Sequence, residues 1–205
     1  MTLRGLVVRD NGIASLCGGG SFLILNTAIV NNTARASGGA VFVNGQQTII
    51  NSTFSGNTAT DPAGIGGAIM SFADGIFIHS TVAANVTRPG GGALFLGSAV
   101  ATLKASILDL NVGGNCLLGG PFTSEGYNVS SDESCALAGP NDASLVSARL
   151  KPLDDNGGNT LTHALKANSP AIDRLPLSLC GLATDQRGKP RGVDGACDSG
   201  AFEKP

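Results

Sequence analysis

The string GGA followed by two apolar residues occurs three times in this chain: GGAVF from Gly38, GGAIM from Gly66 and GGALF from Gly91, at spacings of 28 and 25 residues. A second block trails each copy: NSTFSGNTA from Asn51, HSTVAANVT from His79 and ASILDLNVG from Ala105. An earlier copy, NTAIVNNTA, begins at Asn26, and a ragged one, LRGLVVRDNG, at Leu3. Self-similarity at such a period means one supersecondary unit per repeat, stable only when stacked on its neighbours. The runs between glycines are short, β-branched and alternating, which is strand chemistry of period 2, and no helical period is sustained before residue 115. The expectation is an all-β fold in which 25–28 residues make one coil of a parallel β-helix. Coils about 4.8 Å apart would make a five-coil rod roughly 24 Å long.

Stacking the blocks produces columns. Ile29, Phe54, Val82 and Leu108 form an apolar column, and Asn32, Asn57, Asn85 and Asn111 form an asparagine column three residues further on. At a sharp corner such amides can bond backbone groups and the amide of the next coil, so these four residues are read as a structural ladder. The paired glycines supply positive φ at another corner. Within one strand column, Ile24, Ile49, Phe77 and Leu103 alternate with Leu25, Ile50, Ile78 and Lys104. One of these strips faces outward, and an outward apolar strip calls for a cover.

The texture changes at Cys116. Eleven of the fifteen acidic residues and seven of the nine prolines lie from there onward. The chain is therefore divided into coils over residues 1–115 and a loop-rich closing segment over 116–205, which folds back on the solenoid through LTHAL and PAID. The final motif, TDQRGKPRGVDGACDSGAFE over residues 184–203, is read as a clasp, with arginines pairing acids and glycines making tight turns. Cysteine spacing allows two local bridges, Cys116–Cys135 and Cys180–Cys197, which point to an oxidising, extracytoplasmic setting. Cys17 is left over as a buried thiol in a repeat.

A net charge of -2 gives no electrostatic footprint for nucleic acid. No apolar run reaches transmembrane length. The first residues read as the middle of a repeat, so the chain is expected to be a piece of a longer protein, and its uncapped first coil offers an edge for end-to-end self-association. An enzymatic reading would rest on His163, Asp173, Asp185, Arg187 and Asp198 as acid–base or proton-abstracting groups of a polysaccharide lyase or glycoside hydrolase. Their spacing matches no acid–base pattern, and a sugar cleft would have to do without tryptophan and with Tyr127 as the sole tyrosine. The oxygens of residues 154–159 make Asp154 and Asp155 the calcium candidates, although EF-hand spacing is missing and a self-bonded turn is the plainer reading. No metal or other cofactor is expected.

Two resemblances bear on this. The GGA blocks, with FSGN at residues 54–57, resemble the GGAI and FxxN repeats of chlamydial polymorphic outer-membrane proteins, which are surface-exposed right-handed β-helices linked to adhesion. Over nearly the whole chain, GYNVSSDESC, DNGGNTLTHAL, SPAID and the closing motif resemble, in that order, the C-terminal part of bacterial choice-of-anchor Q proteins, which often also carry a CSLREA segment. That resemblance implies a right-handed parallel β-helix, secreted or at the cell surface, and no particular activity. The functional expectation is a stalk or adhesion surface without catalysis, with a glycan or a host or cell-surface polymer as partner. The alternative is a carbohydrate-active β-helix enzyme.

Overall fold

A computed structural model describes residues 1–12, 16–97 and 100–205. It is an all-β solenoid whose coils are built on three large parallel sheets, with a short parallel pair, Thr33–Ala34 and Thr58–Ala59, at one corner. Sheet I contains Thr2–Arg4, Phe22–Leu25, Gln47–Ile50, Gly75–Ile78, Ala101–Lys104 and Phe122–Gly126. Sheet II contains Val7–Arg9, Ala28–Val30, Thr53–Ser55, Thr81–Ala83, Ile107–Asp109 and Val129–Ser130. Sheet III contains Leu16–Gly18, Val41–Val43, Ile69–Ser71, Leu94–Leu96 and Cys116–Leu118. Each coil visits III, I and II in turn, so equivalent residues of successive coils pair in register. Ile24, Ile49, Phe77 and Leu103 stack on one another, as do Ile29, Phe54, Val82 and Leu108. Both stacks point inward, and with the side chains of sheet III they fill the core.

Two single-residue bends flank each sheet II strand. Asn26, Asn51, His79 and Ala105 precede it with φ of 50°, 46°, 46° and 47°, and Asn31, Gly56, Ala84 and Leu110 follow it at 55°, 67°, 57° and 61°. Left-handed residues turn the chain sharply without interrupting the parallel ladders on either side, and Asn and Gly tolerate this best.

The asparagine ladder is present and longer than its four expected rungs. Nδ2 of Asn11 donates to Oδ1 of Asn32 at 2.8 Å, and the chain of amides continues through Asn57 at 3.0 Å, Asn85 at 2.9 Å, Asn111 at 3.0 Å and Asn115 at 2.8 Å. A second ladder runs up the other corner. The backbone N–H groups of Thr27, Ser52 and Ser80 donate to the hydroxyls of Ser52, Ser80 and Ser106, and that of Ser106 donates to Oδ1 of Asn128. This small polar column is buried.

The coils extend past residue 115, through Ser130, which corrects the expected boundary. Cys116–Leu118, Phe122–Gly126 and Val129–Ser130 pair in parallel with the preceding coil. From Cys116 onward, loops are threaded between strands that still pair with the preceding coil, and loop composition masked those strands. Residues 131–146 then cover this end. Asp132 and Ser134 accept from the backbone of Asn115 and Cys116, Pro140 and Ala143 accept from Tyr127 and Ser130, and the Cys116–Cys135 disulfide pins the cover.

The remaining segment folds back as a strap. It contains an antiparallel pair, Leu150–Asp154 with Thr162–Leu165, and a second, Leu175–Pro176 with Ala196–Cys197, the latter closed by the Cys180–Cys197 disulfide. LTHAL and PAID do face the solenoid, but the strip they cover differs from the expected one. Leu25, Ile50, Ile78 and Lys104 stay only half-buried. The strap instead packs Ala148, Leu150, Ala164, Leu165, Ala171 and Phe202 against Ala83, Ile107 and Val129 of sheet II. The reason is steric. Ala28, Thr53, Ser55, Thr81 and Ala83 keep much of the outer face of sheet II low, so backbone can approach closely: Gly200 N–H reaches the Ala105 carbonyl at 2.8 Å, and a Cβ on Gly200 would lie 2.6 Å from Ile107. The side chain of Cys17 lies outside the described residues.

Candidate functional site

The closing motif forms one buried polar network against the solenoid corner. Arg191 is at its centre. Its guanidinium pairs with Glu203 Oε2 at 2.8 Å and donates to Asn51 Oδ1 at 2.9 Å, the Gly200 carbonyl at 2.7 Å and the Asp198 carbonyl at 3.2 Å. Glu203 also accepts from the backbone of Gly192 and Asp198, at 2.8 and 2.9 Å. Burial raises the Glu203 carboxyl above its ordinary pKa, and these N–H groups and Arg191 oppose the rise.

Asp185, whose side chain is fully buried, pairs with Arg187 at 2.7 Å and accepts from the backbone of Arg187, Lys189 and Glu203. The Arg187 guanidinium lies 3.7 Å above the centre of the Phe202 ring. Asp198 accepts from Asp173 N–H at 2.8 Å and Lys204 N–H at 2.7 Å, and burial pushes its pKa up to about 6. Asp173 itself is exposed, in a left-handed turn, with its pKa raised by desolvation and then by Asp194. Gln186 bridges Thr53 Oγ1 at 2.6 Å and Thr160 Oγ1 at 2.9 Å, and Asn51 donates to the Thr184 carbonyl at 2.8 Å. His79 takes the same corner position as Asn51, with Nε2 donating to the Cys180 carbonyl at 2.9 Å. Burial and the nearby Arg191 hold its pKa down at about 3, so it stays neutral.

Chemically this is a clasp. The Asp185 and Asp198 oxygens are directed at backbone N–H groups inside the protein, where no substrate proton can reach them. Of the five sequence-derived candidates, Asp185, Arg187 and Asp198 lie within the network and Asp173 at its edge. His163 is elsewhere, on the strap hairpin. Its Nδ1 lies 2.8 Å from the Lys151 carbonyl and its Nε2 2.9 Å from Ser55 Oγ. The five do not converge on one site.

Asp154 and Asp155 are exposed and bond their own turn, Asp154 Oδ1 accepting from Asp155 N–H at 2.8 Å and Asp155 Oδ1 from Gly157 N–H at 2.9 Å. Among the described residues, no group of three or more His, Cys, Asp or Glu is placed to hold a metal ion. Sequence reasoning overlooked Ser55, Thr53 and Asn51 as partners of the closing segment. A usable signal existed for Ser55, which is the sole hydroxyl in the outward column Val30, Ser55, Ala83, Asp109.

Among the openings that border the strap, two are large. One, of about 470 Å³, is lined by Arg187, Lys189, Val193, Asp194, Glu203 and Lys204. The other, of about 520 Å³, runs between the second corner and the hairpin, lined by Ser55, Gly56, Leu110, Lys151, His163 and Lys166 among others. On the outer side of sheet III, Phe42 and Phe95 flank Phe72 edge-on, with ring centroids 6.3 and 5.4 Å from it, and Phe72 is 42% exposed. Among the described residues no helix is long and apolar enough to cross a membrane. Comparison of the chain with protein-family models, curated proteins and solved structures finds no match.

Proposed function

We propose that the chain is a β-solenoid module of a secreted or cell-surface protein, serving as a stalk or adhesion surface rather than as a polymer-cleaving enzyme. One observation carries this reading. Asp185 and Asp198, carboxylates that a lyase or glycosidase would place in a groove, are enclosed in the clasp, whereas among the described residues no segment covers the outer faces of sheets I and III. The two disulfides fit an oxidising compartment. The motif order shared with choice-of-anchor Q proteins points the same way, toward a right-handed surface β-helix.

The partner in this reading is a glycan or a cell-surface polymer, laid along the Phe42, Phe72 and Phe95 face. Aromatic faces are suited to the apolar sides of sugar rings. A glycan array run beside a polysaccharide-degradation screen tests this. Binding without chain cleavage, lost in Phe72→Ala, is the expected result. Chain cleavage would replace it with the carbohydrate-active enzyme, a lyase or glycoside hydrolase. Neither binding nor cleavage would leave a purely structural segment.

A further inference from the structure

Ser55 and His163 are 108 residues apart in sequence, yet Ser55 Oγ lies 2.9 Å from His163 Nε2. The tautomer follows from the other ring nitrogen. Nδ1 lies 2.8 Å from the Lys151 carbonyl, which can only accept, so Nδ1 carries the proton and Nε2 presents a lone pair to the serine hydroxyl. A hydroxyl donating to an imidazole that is itself oriented from behind is the arrangement of an activated nucleophile, with a backbone carbonyl as the orienting group.

The pair also borders an opening. Both residues line the groove of about 520 Å³ between the solenoid corner and the strap. A histidine that merely tied strap to solenoid would need no such space beside it. The groove has apolar walls in Leu110 and Leu153 and two exposed ammonium groups at its side, Lys151 and Lys166. Ser55 and His163 are 3% and 5% exposed, which restricts access to a slender group entering along the groove. Burial lowers the His163 pKa, so the ring is neutral and able to accept a proton at pH 7, while the buried Asp109 carboxylate opposes that shift and favours the imidazolium once formed.

We propose that Ser55 and His163 are the nucleophile and general base of an ester-hydrolysing site for small acyl groups, acetyl-sized, carried on an anionic molecule. This goes beyond the stalk reading and does not rest on it. Ser55 Oγ bonds to the acyl carbon as its proton passes to Nε2. The ester C–O bond then breaks, and the departing alkoxide takes that proton and leaves as the alcohol. Water adds to the acyl-serine with Nε2 as base, releasing the carboxylic acid and restoring the serine hydroxyl. Lys151 and Lys166 attract the anionic carrier.

The test treats the intact chain with a fluorophosphonate probe, maps the adduct by mass spectrometry and follows p-nitrophenyl acetate hydrolysis. The expected result is one adduct on Ser55, with hydrolysis falling about 100-fold or more in Ser55→Ala and His163→Gln. Labelling of the unmodified protein should rise with pH through one ionisation below 6.5, the ordinary histidine value from which His163 is lowered. This pH profile needs no variant, so it holds even if His163→Gln fails to fold. Removing both lysines should raise KM for an anionic ester more than for neutral p-nitrophenyl acetate. Absence of a Ser55 adduct on the folded protein, or hydrolysis equal in the wild type and Ser55→Ala, would overturn the assignment.

Discussion

Replacing Asn57 by alanine should cost far more stability than its size suggests. The side chain is fully buried and makes four hydrogen bonds. It donates to the Ile29 carbonyl and to Asn85 Oδ1, each at 2.9 Å, and accepts from the backbone N–H and Nδ2 of Asn32, each at 3.0 Å. Alanine keeps the backbone bond from Asn57 N–H to Asn85 Oδ1. Nδ2 of Asn32 keeps the Val8 and Val30 carbonyls. The Asn32 N–H loses its acceptor inside the protein. An orphaned buried group costs about 1–3 kcal/mol and each of the three further lost bonds about 0.5–1.5, so the total is about 2.5–7.5 kcal/mol. That is a large fraction of the roughly 5–15 kcal/mol that holds a domain together. Asn57→Asp should be no better, because a carboxylate cannot donate to Ile29 or Asn85. Asn11→Ala, at the water-exposed end of the ladder, should cost about 1 kcal/mol. Urea unfolding followed by circular dichroism measures all three. If Asn57→Ala lost less than about 1 kcal/mol, comparable with Asn11→Ala, the ladder would not be a source of stability.

Three further outcomes are expected. Arg191→Met should destabilise by about 3–5 kcal/mol, since Glu203 is left buried without its cation, and Glu203→Gln on top of it should recover part of the loss in a double-mutant cycle. Asp198 has its folded pKa raised to about 6, above its unfolded value, so its contribution to stability is fully present below about pH 4 and is lost as pH rises through 6. The melting temperature should carry this falling slope in that window, and Asp198→Asn should flatten it. Deletion of residues 147–205 should leave a solenoid that aggregates or unfolds without cooperativity. A soluble, cooperatively melting fragment, seen by light scattering and circular dichroism, would show that the strap is dispensable.

The solenoid was legible because its physics is periodic. A parallel stack places equivalent residues in one column, so Ile29, Phe54, Val82 and Leu108 could be read as core, and Asn32 through Asn111 as a ladder, without coordinates. Asn115 was harder to see, because the last turn shortens and brings it onto Asn111 from four residues away. The final coil was hidden for a related reason: the loops flanking Cys116–Leu118 dominate its composition. The clasp could be recognised as a clasp, yet its partners could not be named. Asn51 to Arg191 is a contact across 140 residues and Thr53 to Gln186 one across 133. No local pattern encodes such a pairing. The same limit applied to His163, whose partner could not be named from LTHAL and is Ser55, 108 residues away.

The closing motif is part of the structural core, continuous with the solenoid. Hydrogen exchange at single-amide resolution tests it directly. The ladder amides of Asn32, Asn57 and Asn85 donate to side-chain carbonyls of the next coil. The clasp amides of Gly192, Asp198 and Glu203 donate to Glu203 and Asp185 carboxylates. Both sets are expected to exchange through one common opening, with the free energy of global unfolding. Clasp amides exchanging about 100-fold faster than the ladder, a gap of about 2.7 kcal/mol, would contradict it and mark the segment as a separate, mobile element.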